Sequence, residues 1–178
     1  RLLLYTNDID LQGLVYASSR FHWRGDGAGT TFFLPDREYA EPQTSWRWAP
    51  GERFIHDAVE AYAQAYPNLA VHDDRYPSPD ALRGIIRFGN VDFEGDMSAD
   101  TPGSRLMADA LLDDDPRPVH IQLWAGPATL ARALRSIEER YAETPAWPQV
   151  RASVSRRAIV TKFASQDATY DDYILPVW

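Results

Sequence analysis

Residues 119–137 read VHIQLWAGPATLARALRSI, and the rest of the chain is organised around this stretch. Its first half alternates apolar and polar residues, a pattern typical of a β-strand that packs on a core. Gly126 and Pro127 predict a sharp turn after it, because proline suits the first turn of a helix. From Leu130 onward the apolar residues recur at helical spacing. The stretch therefore predicts a strand over residues 119–124, a tight turn and a helix.

Two more apolar segments, residues 12–17 and 158–163, predict further strands. Helical patterns lie between the strands, the clearest over residues 52–66, which we expect to end at Pro67. Strands that alternate with helices need crossover connections, which favour parallel pairing. We therefore predict one α/β domain over residues 1–178 with a mostly parallel sheet flanked by helices. The three strand segments are expected in one sheet.

The chain begins and stops abruptly. Arg1 leads directly into an apolar run that reads as the end of a helix, and Trp178 follows another apolar run. We therefore expect the chain to be part of a longer domain, incomplete at both ends.

The carboxyl ends of the predicted strands define a candidate site, since ligands of open α/β sheets gather there. We expect Ala125 and Asp167 to lie within about 15 Å, three strand spacings of roughly 5 Å. Ser18 and Ser19 also follow a strand, and they read equally well as caps of the next turn. The side chains predicted to bind a ligand are Arg20, His22, Trp23, Trp124, Gln166 and Asp167.

Residues 21–51 show no helical or strand periodicity, yet they carry many aromatic rings. Aromatic faces stack on sugars and nucleobases, which favours a ligand cleft, whereas burial of the rings would fasten the loop to the body. We assign most of these rings to burial. A ligand role is kept for Arg20, His22 and Trp23, which lie nearest the strand end.

Composition excludes several classes of function. The formal net charge is −8, and Lys162 is the sole lysine, so a nucleic-acid backbone is not an expected partner. The absence of cysteine excludes disulfides, thiolate metal sites and a cysteine nucleophile. No apolar run approaches the roughly 18 residues of a membrane span.

Clustered acidic residues invite a metal interpretation that their spacing does not support. Asp92, Glu94 and Asp96 resemble the start of a calcium loop, but Met97 and Gly103 stand where an EF-hand needs glycine and glutamate. Residues 72–74, His-Asp-Asp, read better as a solvated turn than as a metal site.

Residues 101–134 resemble the nucleoside hydrolases, which carry a strand, a G-P turn and an alanine- and leucine-rich helix in this order. The resemblance is closer to their secreted relatives, the nucleoside-hydrolase-like family often labelled cellulose-binding. Its motifs match residues 2–23, 66–69, 89–91 and 166–167. Together the motifs extend over almost the whole chain.

This resemblance implies a nucleoside-hydrolase-like fold and a glycosyl hydrolase in which Ca²⁺ assists attack of water on a glycosidic bond. It places the Ala125 carbonyl among the calcium ligands, with the carboxylate ligands upstream of Arg1. The general base matches nothing in this chain. Ser19 and Arg20 stand where nucleoside hydrolases have A-G-N, which favours a sugar other than ribose.

Two other interpretations stay open. One is a non-catalytic protein that binds carbohydrate, cellulose included, on the same fold; the other is a structural domain with vestigial clefts. The resemblance implies a small sugar, nucleoside or polysaccharide as partner and an extracellular or periplasmic location. Homo-oligomers are compatible with it.

Overall fold

The structure is a computed structural model that describes residues 1–178. The chain divides into two compact units. The first unit comprises Arg1–Tyr16 and Pro50–Arg87, and the second comprises Ala17–Ala49 and Phe88–Trp178. The assignment of residues 1–178 to one domain stays a prediction. No helix is both long enough and apolar enough to cross a membrane.

The first unit begins with a 3₁₀ helix, Leu2–Tyr5. Its regular elements are β1 (Leu14–Tyr16), α1 (Phe54–His72), α2 (Pro79–Gly84) and most of β2 (Ile86–Phe88), which pairs with β1.

Helix α1 continues past the residue where the sequence predicts its end. Pro67 lies inside the helix, which runs on to His72. Proline removes one N–H donor, but the following turn still closes, because the Asp73 N–H donates to the Leu69 carbonyl at 3.0 Å. Val59 and Tyr62 are the buried residues of this helix.

Tyr16 fixes the start of α1 from the end of β1. Its side chain is completely buried, and its hydroxyl accepts hydrogen bonds from the N–H groups of Ile55 (3.1 Å) and His56 (3.2 Å). The same hydroxyl bonds to His56 Nδ1 at 2.8 Å, and the two rings stack. The pattern on α1 predicts a solvent-facing His56, which is wrong: the ring is half-buried against Tyr16.

In the second unit, β3 (Val119–Leu123) and β4 (Ala158–Lys162) form a parallel pair, with Val119 opposite Ala158 and Leu123 opposite Lys162. Both strand predictions are therefore confirmed. The helices of this unit are α3 (Pro102–Leu112), α4 (Ala128–Tyr141), α5 (Trp147–Arg157), a π-helical turn (Tyr170–Ile174) and α6 (Leu175–Val177).

The α/β class is confirmed, but the three predicted strands do not join one sheet. β1 pairs with β2, and β3 pairs with β4, in two separate two-stranded sheets. β1 is only three residues long, and beyond it the chain makes isolated bonds instead of a ladder. The Ser18 N–H donates to the Asn90 carbonyl at 3.3 Å, and the Gly126 N–H donates to the Ser18 carbonyl at 2.8 Å.

The core of the second unit lies on one face of the β3–β4 sheet. Ile121 and Leu123 point into it from β3, and Leu130, Leu134 and Ile137 meet them from α4. This is the predicted core face of residues 119–137. The side chains on the opposite face of β3 and β4 are exposed.

The sequence predicts an irregular segment over residues 21–51, and these residues form no helix or strand. Isolated bridges join Trp23 to Trp46 and Phe32 to Gln43. The Trp23 ring contacts Phe32, Tyr39 and Phe93 at centroid distances of 5.4, 6.2 and 5.6 Å. Burial therefore accounts for these rings.

Candidate functional site

The turn after β3 is packed so closely that only glycine fits at position 126. A Cβ atom on Gly126 would lie 2.1 Å from Asp167 Oδ2 and 2.8 Å from the Ser18 carbonyl oxygen. Carbon and oxygen atoms cannot approach this closely without a shift, and a backbone carbonyl does not move easily. The G-P turn thus brings the ends of β3 and β4 and the segment after β1 to one corner.

Asp167 holds this corner together from inside the protein. Only 5% of the residue is exposed, and its carboxylate accepts hydrogen bonds from the N–H groups of Ala128 (3.2 Å) and Thr169 (2.8 Å) and from the Thr169 hydroxyl (2.6 Å). The bond to Ala128 satisfies a free N–H at the start of α4, as a capping residue does. Burial raises the pKa of Asp167 above its usual value, and the charge of Glu94 contributes to the rise.

Glu94 lies near this carboxylate, and nothing in the sequence beyond its place in an acidic loop indicates this position. Its side chain is 2% exposed and forms a two-point ion pair with Arg37, whose Nε and Nη2 donate at 2.7 and 2.6 Å. Such fork-shaped pairing neutralises a buried carboxylate. The Arg37 guanidinium therefore compensates one of the two buried acids at the corner.

Gln166 ties the ends of β3 and β4 together. Its amide nitrogen donates to the carbonyl oxygens of Trp124 (3.2 Å) and Phe163 (3.0 Å), and its own backbone carbonyl accepts from the Arg20 N–H (2.7 Å). Gln166 is 6% exposed. Its amide donor is therefore committed to the protein, and ligand contact by Gln166 or Asp167 stays a prediction.

The two residues whose carbonyls Gln166 binds, Trp124 and Phe163, have exposed aromatic rings. Trp124 is 76% exposed and Phe163 is 67% exposed, and their rings lie nearly parallel, at 19°, with centroids 6.4 Å apart. Trp124 is one of the predicted site residues. Phe163 was missed, although its place on the same face as Trp124 follows once β3 and β4 are paired in register.

Arg20 and His22 lie on the turn after β1, held by local contacts. Arg20 Nη2 donates to the Asp36 carbonyl at 2.9 Å. His22 Nε2 donates to the Ala17 carbonyl at 3.1 Å, and Nδ1 bonds to the Ser19 hydroxyl at 3.1 Å. This pair is not an accessible nucleophile and base, because Ser19 is completely buried.

The ligand role predicted for Trp23 is wrong for this structure. The residue is completely buried and forms the centre of the aromatic packing in the loop. A ring without exposed surface cannot stack on a ligand. The ligand role of Trp23 was predicted only from its proximity to a strand end. At the same position the ring can instead pack against the other aromatic rings of the loop.

Ala125 and Asp167 share the corner as predicted, because Gly126, the neighbour of Ala125, lies directly against Asp167. The residues do not, however, form a complete calcium site. In residues 1–178 no three His, Cys, Asp or Glu side chains are arranged to hold a metal ion. Since Ca²⁺ takes six to eight oxygen ligands, the Ala125 carbonyl alone does not fit it.

A separate cleft of 240 Å³ lies in the second unit and contains none of the predicted site residues. Its walls include the Arg24–Asp92 ion pair and the buried amide of Asn90, which donates to the Ala99 carbonyl. Arg24 and Asp92 pair with each other, and the amide nitrogen of Asn90 is bonded to Ala99.

The fold and the corner together show that the chain is an α/β protein whose polar side chains gather where strands end. The chain belongs to the family described as cellulose-binding Sde182, nucleoside hydrolase-like domain, whose sequence profile matches residues 1–178. This confirms the resemblance drawn from the sequence motifs.

A solved structure supports the fold. A nucleoside hydrolase-related hypothetical protein from Saccharophagus degradans, associated with carbohydrate metabolism, matches with a TM-score of 0.68 at 23% sequence identity. The match covers 94% of this chain and 35% of that chain, so this chain spans about a third of that protein. No curated protein matches the chain.

Proposed function

We propose that this chain binds a neutral carbohydrate on the exposed ring pair Trp124 and Phe163. The observation that carries the proposal is the exposure of both rings, 76% and 67%, at the ends of adjacent strands. Exposed apolar surface of this kind marks interaction sites. The family description names cellulose binding, which agrees with this ligand class.

The chemistry of the ring pair suits a sugar better than a charged ligand. Aromatic faces contact the C–H faces of sugar rings, so two nearly parallel rings offer an apolar platform. The chain carries a net charge of −8, which disfavours an anionic ligand. A neutral saccharide is not repelled by this charge.

The test is titration of soluble cello-oligosaccharides with the protein and with Trp124→Ala and Phe163→Ala variants. Each variant is expected to lose at least about tenfold in affinity, since buried aromatic anchors carry about 2 kcal/mol or more of binding energy. Tyr5→Ala is the matched control, because Tyr5 is 64% exposed and belongs to the first unit. Unchanged affinity of the Trp124→Ala variant would rule the platform out.

A second candidate function is hydrolysis of a glycosidic bond by a longer protein that contains this chain. The nucleoside hydrolase-like family and the G-P corner at Ala125 favour it. In that proposal Ca²⁺ is held by carboxylates outside residues 1–178 together with the Ala125 carbonyl, in a secreted protein. A screen of the longer protein over nucleosides and aryl glycosides tests it; no turnover would leave carbohydrate binding as the function.

A further inference from the structure

Three polar atoms in the irregular segment of residues 21–51 are buried without a hydrogen-bond partner in the protein. They are the indole nitrogens of Trp23 and Trp46 and the hydroxyl oxygen of Tyr39. Trp23 is completely buried, and Tyr39 is 5% exposed. Nearly all buried polar groups in folded proteins are hydrogen-bonded, either to the protein or to an ordered water molecule. The three atoms therefore indicate a partner that is not a protein group.

The side chains of Trp23, Tyr39 and Trp46 form one cluster. Trp23 and Trp46 are an antiparallel pair, in which the N–H of each residue donates to the carbonyl of the other at 2.9 Å. Residues that pair in this way place their side chains on the same face. The Tyr39 ring contacts both indoles, with centroid distances of 6.2 Å to Trp23 and 4.9 Å to Trp46. The cluster thus brings two indole N–H groups and a phenol hydroxyl together.

The Trp23 indole lies near the Tyr39 hydroxyl but does not bond to it. Burial raises the pKa of Tyr39 above its usual value, the charge of Glu94 adds to the rise, and the Trp23 indole lowers this pKa. The indole is therefore close enough to act on the hydroxyl, yet no hydrogen bond of normal geometry joins the two groups. Polar groups separated in this way can be joined through a bridging water molecule.

The donors and acceptors of the cluster match those of water. An indole N–H only donates, whereas a phenol hydroxyl both donates and accepts. A water molecule can accept from both indoles and donate to the phenol oxygen, and buried waters typically form about three hydrogen bonds. An anion is less suitable, because the negative charge of Glu94 acts on the Tyr39 hydroxyl more strongly than the positive charge of Arg37.

We propose that the cluster binds one buried water molecule, which accepts hydrogen bonds from the Trp23 and Trp46 indoles and donates one to the Tyr39 hydroxyl. The three polar atoms are already shielded from solvent within residues 1–178, so a further part of a longer protein does not reach them. The water fastens the irregular segment from inside. Arg37, two residues before Tyr39, extends from this segment to the buried Glu94 carboxylate. The water thus helps to hold the guanidinium that compensates this acid.

Removal of the Tyr39 hydroxyl has opposite effects with and without the water. With the water, Tyr39→Phe breaks a hydrogen bond that is made, and the unfolding equilibrium constant in urea experiments is expected to rise about fivefold. Without it, the variant removes a buried group that has no partner, and the constant is expected to fall.

Two other tyrosines supply the controls. The Tyr62 hydroxyl is equally buried, on a residue 3% exposed, and it donates to the Pro77 carbonyl at 2.7 Å, so Tyr62→Phe is expected to lower stability in either case. Tyr5 is 64% exposed, and Tyr5→Phe is expected to leave stability unchanged. Circular dichroism checks that each variant is folded.

A high-resolution crystal structure of the chain locates the water directly. A density peak is expected within about 3.2 Å of all three polar atoms. Absence of this peak, or a gain of stability in Tyr39→Phe, overturns the proposal. A peak that bromide replaces in crystals soaked with bromide would assign the site to an anion and would overturn it as well.

Discussion

Gly126 is the residue on which the corner depends most directly, because its missing side chain is the space that Asp167 occupies. The sequence predicts a turn here from the G-P pair. It could not predict why glycine is required, since the obstacle is a carboxylate far along the chain. A local sequence pattern shows which backbone conformation a segment prefers. It does not show which distant segments come into contact, because the fold determines those contacts.

Replacement of Gly126 by alanine is expected to destabilise the protein by about 1–3 kcal/mol, the range for overpacking a filled site. The added Cβ would press on Asp167 Oδ2 and on the Ser18 carbonyl. Urea unfolding measures the change. Gly84→Ala is the matched control: nothing lies within 4 Å of its added Cβ, and helix α2 favours alanine. Equal stability of the two variants would contradict the packing argument.

Asp167 should make stability depend on pH. Its folded-state pKa lies above the ordinary 3.8, so the folded protein holds a proton that the unfolded chain releases. Stability attributable to this group is therefore highest below 3.8, falls as pH rises toward the raised value, and is constant beyond it. The Asp167→Asn variant does not titrate at this position.

Urea unfolding of the wild type and of Asp167→Asn across this pH range measures the effect. Relative to the variant, the wild type is expected to lose stability as pH rises above 3.8. Other carboxylates titrate in both proteins and cancel in the difference. A difference that stays constant with pH, or changes in the opposite direction, would show that burial does not control this carboxyl.

Among the helices, the end of α3 is held by a residue from another helix, which the sequence pattern does not predict. Arg157, the last residue of α5, is 7% exposed and donates to the carbonyl oxygens of Ala110, Leu111, Asp113 and Arg117. The bonds to Ala110, Leu111 and Asp113 satisfy carbonyls that the C-terminus of α3 leaves free, and the bond to Arg117 holds the loop that follows it. Helix α5 itself was missed, because few of its residues are apolar and its only buried ones are Val154 and Arg157.

Arg157→Lys is expected to cost about 2 kcal/mol, since an ammonium group cannot replace a planar guanidinium that bonds several carbonyls at once. Thermal or urea unfolding gives the value. Arg151→Lys, an exposed position on the same helix, is the control and should change stability by less than about 0.5 kcal/mol. If both substitutions cost the same, the carbonyl contacts contribute nothing specific.

For the whole molecule, the sequence predicts the α/β class, the two strands of the second unit and the corner between them. The separation into two small sheets was not predictable, because an alternating pattern identifies the segments that form strands but does not show which strands pair with each other. The site was predicted in part. Strand ends located Trp124, Gln166 and Asp167, but position along the chain could not show that the last two are buried while Phe163 is exposed.

Calcium binding is a prediction for a longer protein that contains this chain, and not for this chain alone. Ca²⁺ prefers hard oxygen ligands and takes six to eight of them, whereas residues 1–178 offer the Ala125 carbonyl and no cluster of three suitable side chains. We therefore expect the 178-residue chain to bind Ca²⁺ weakly or not at all, and a longer protein with further carboxylates to bind it tightly. Calorimetric titration of both with Ca²⁺, using Mg²⁺ as the control ion, decides the question. Tight, selective binding by the short chain would mean that its own oxygens converge on an ion, and the absence of binding by the longer protein would remove calcium from the proposed hydrolysis.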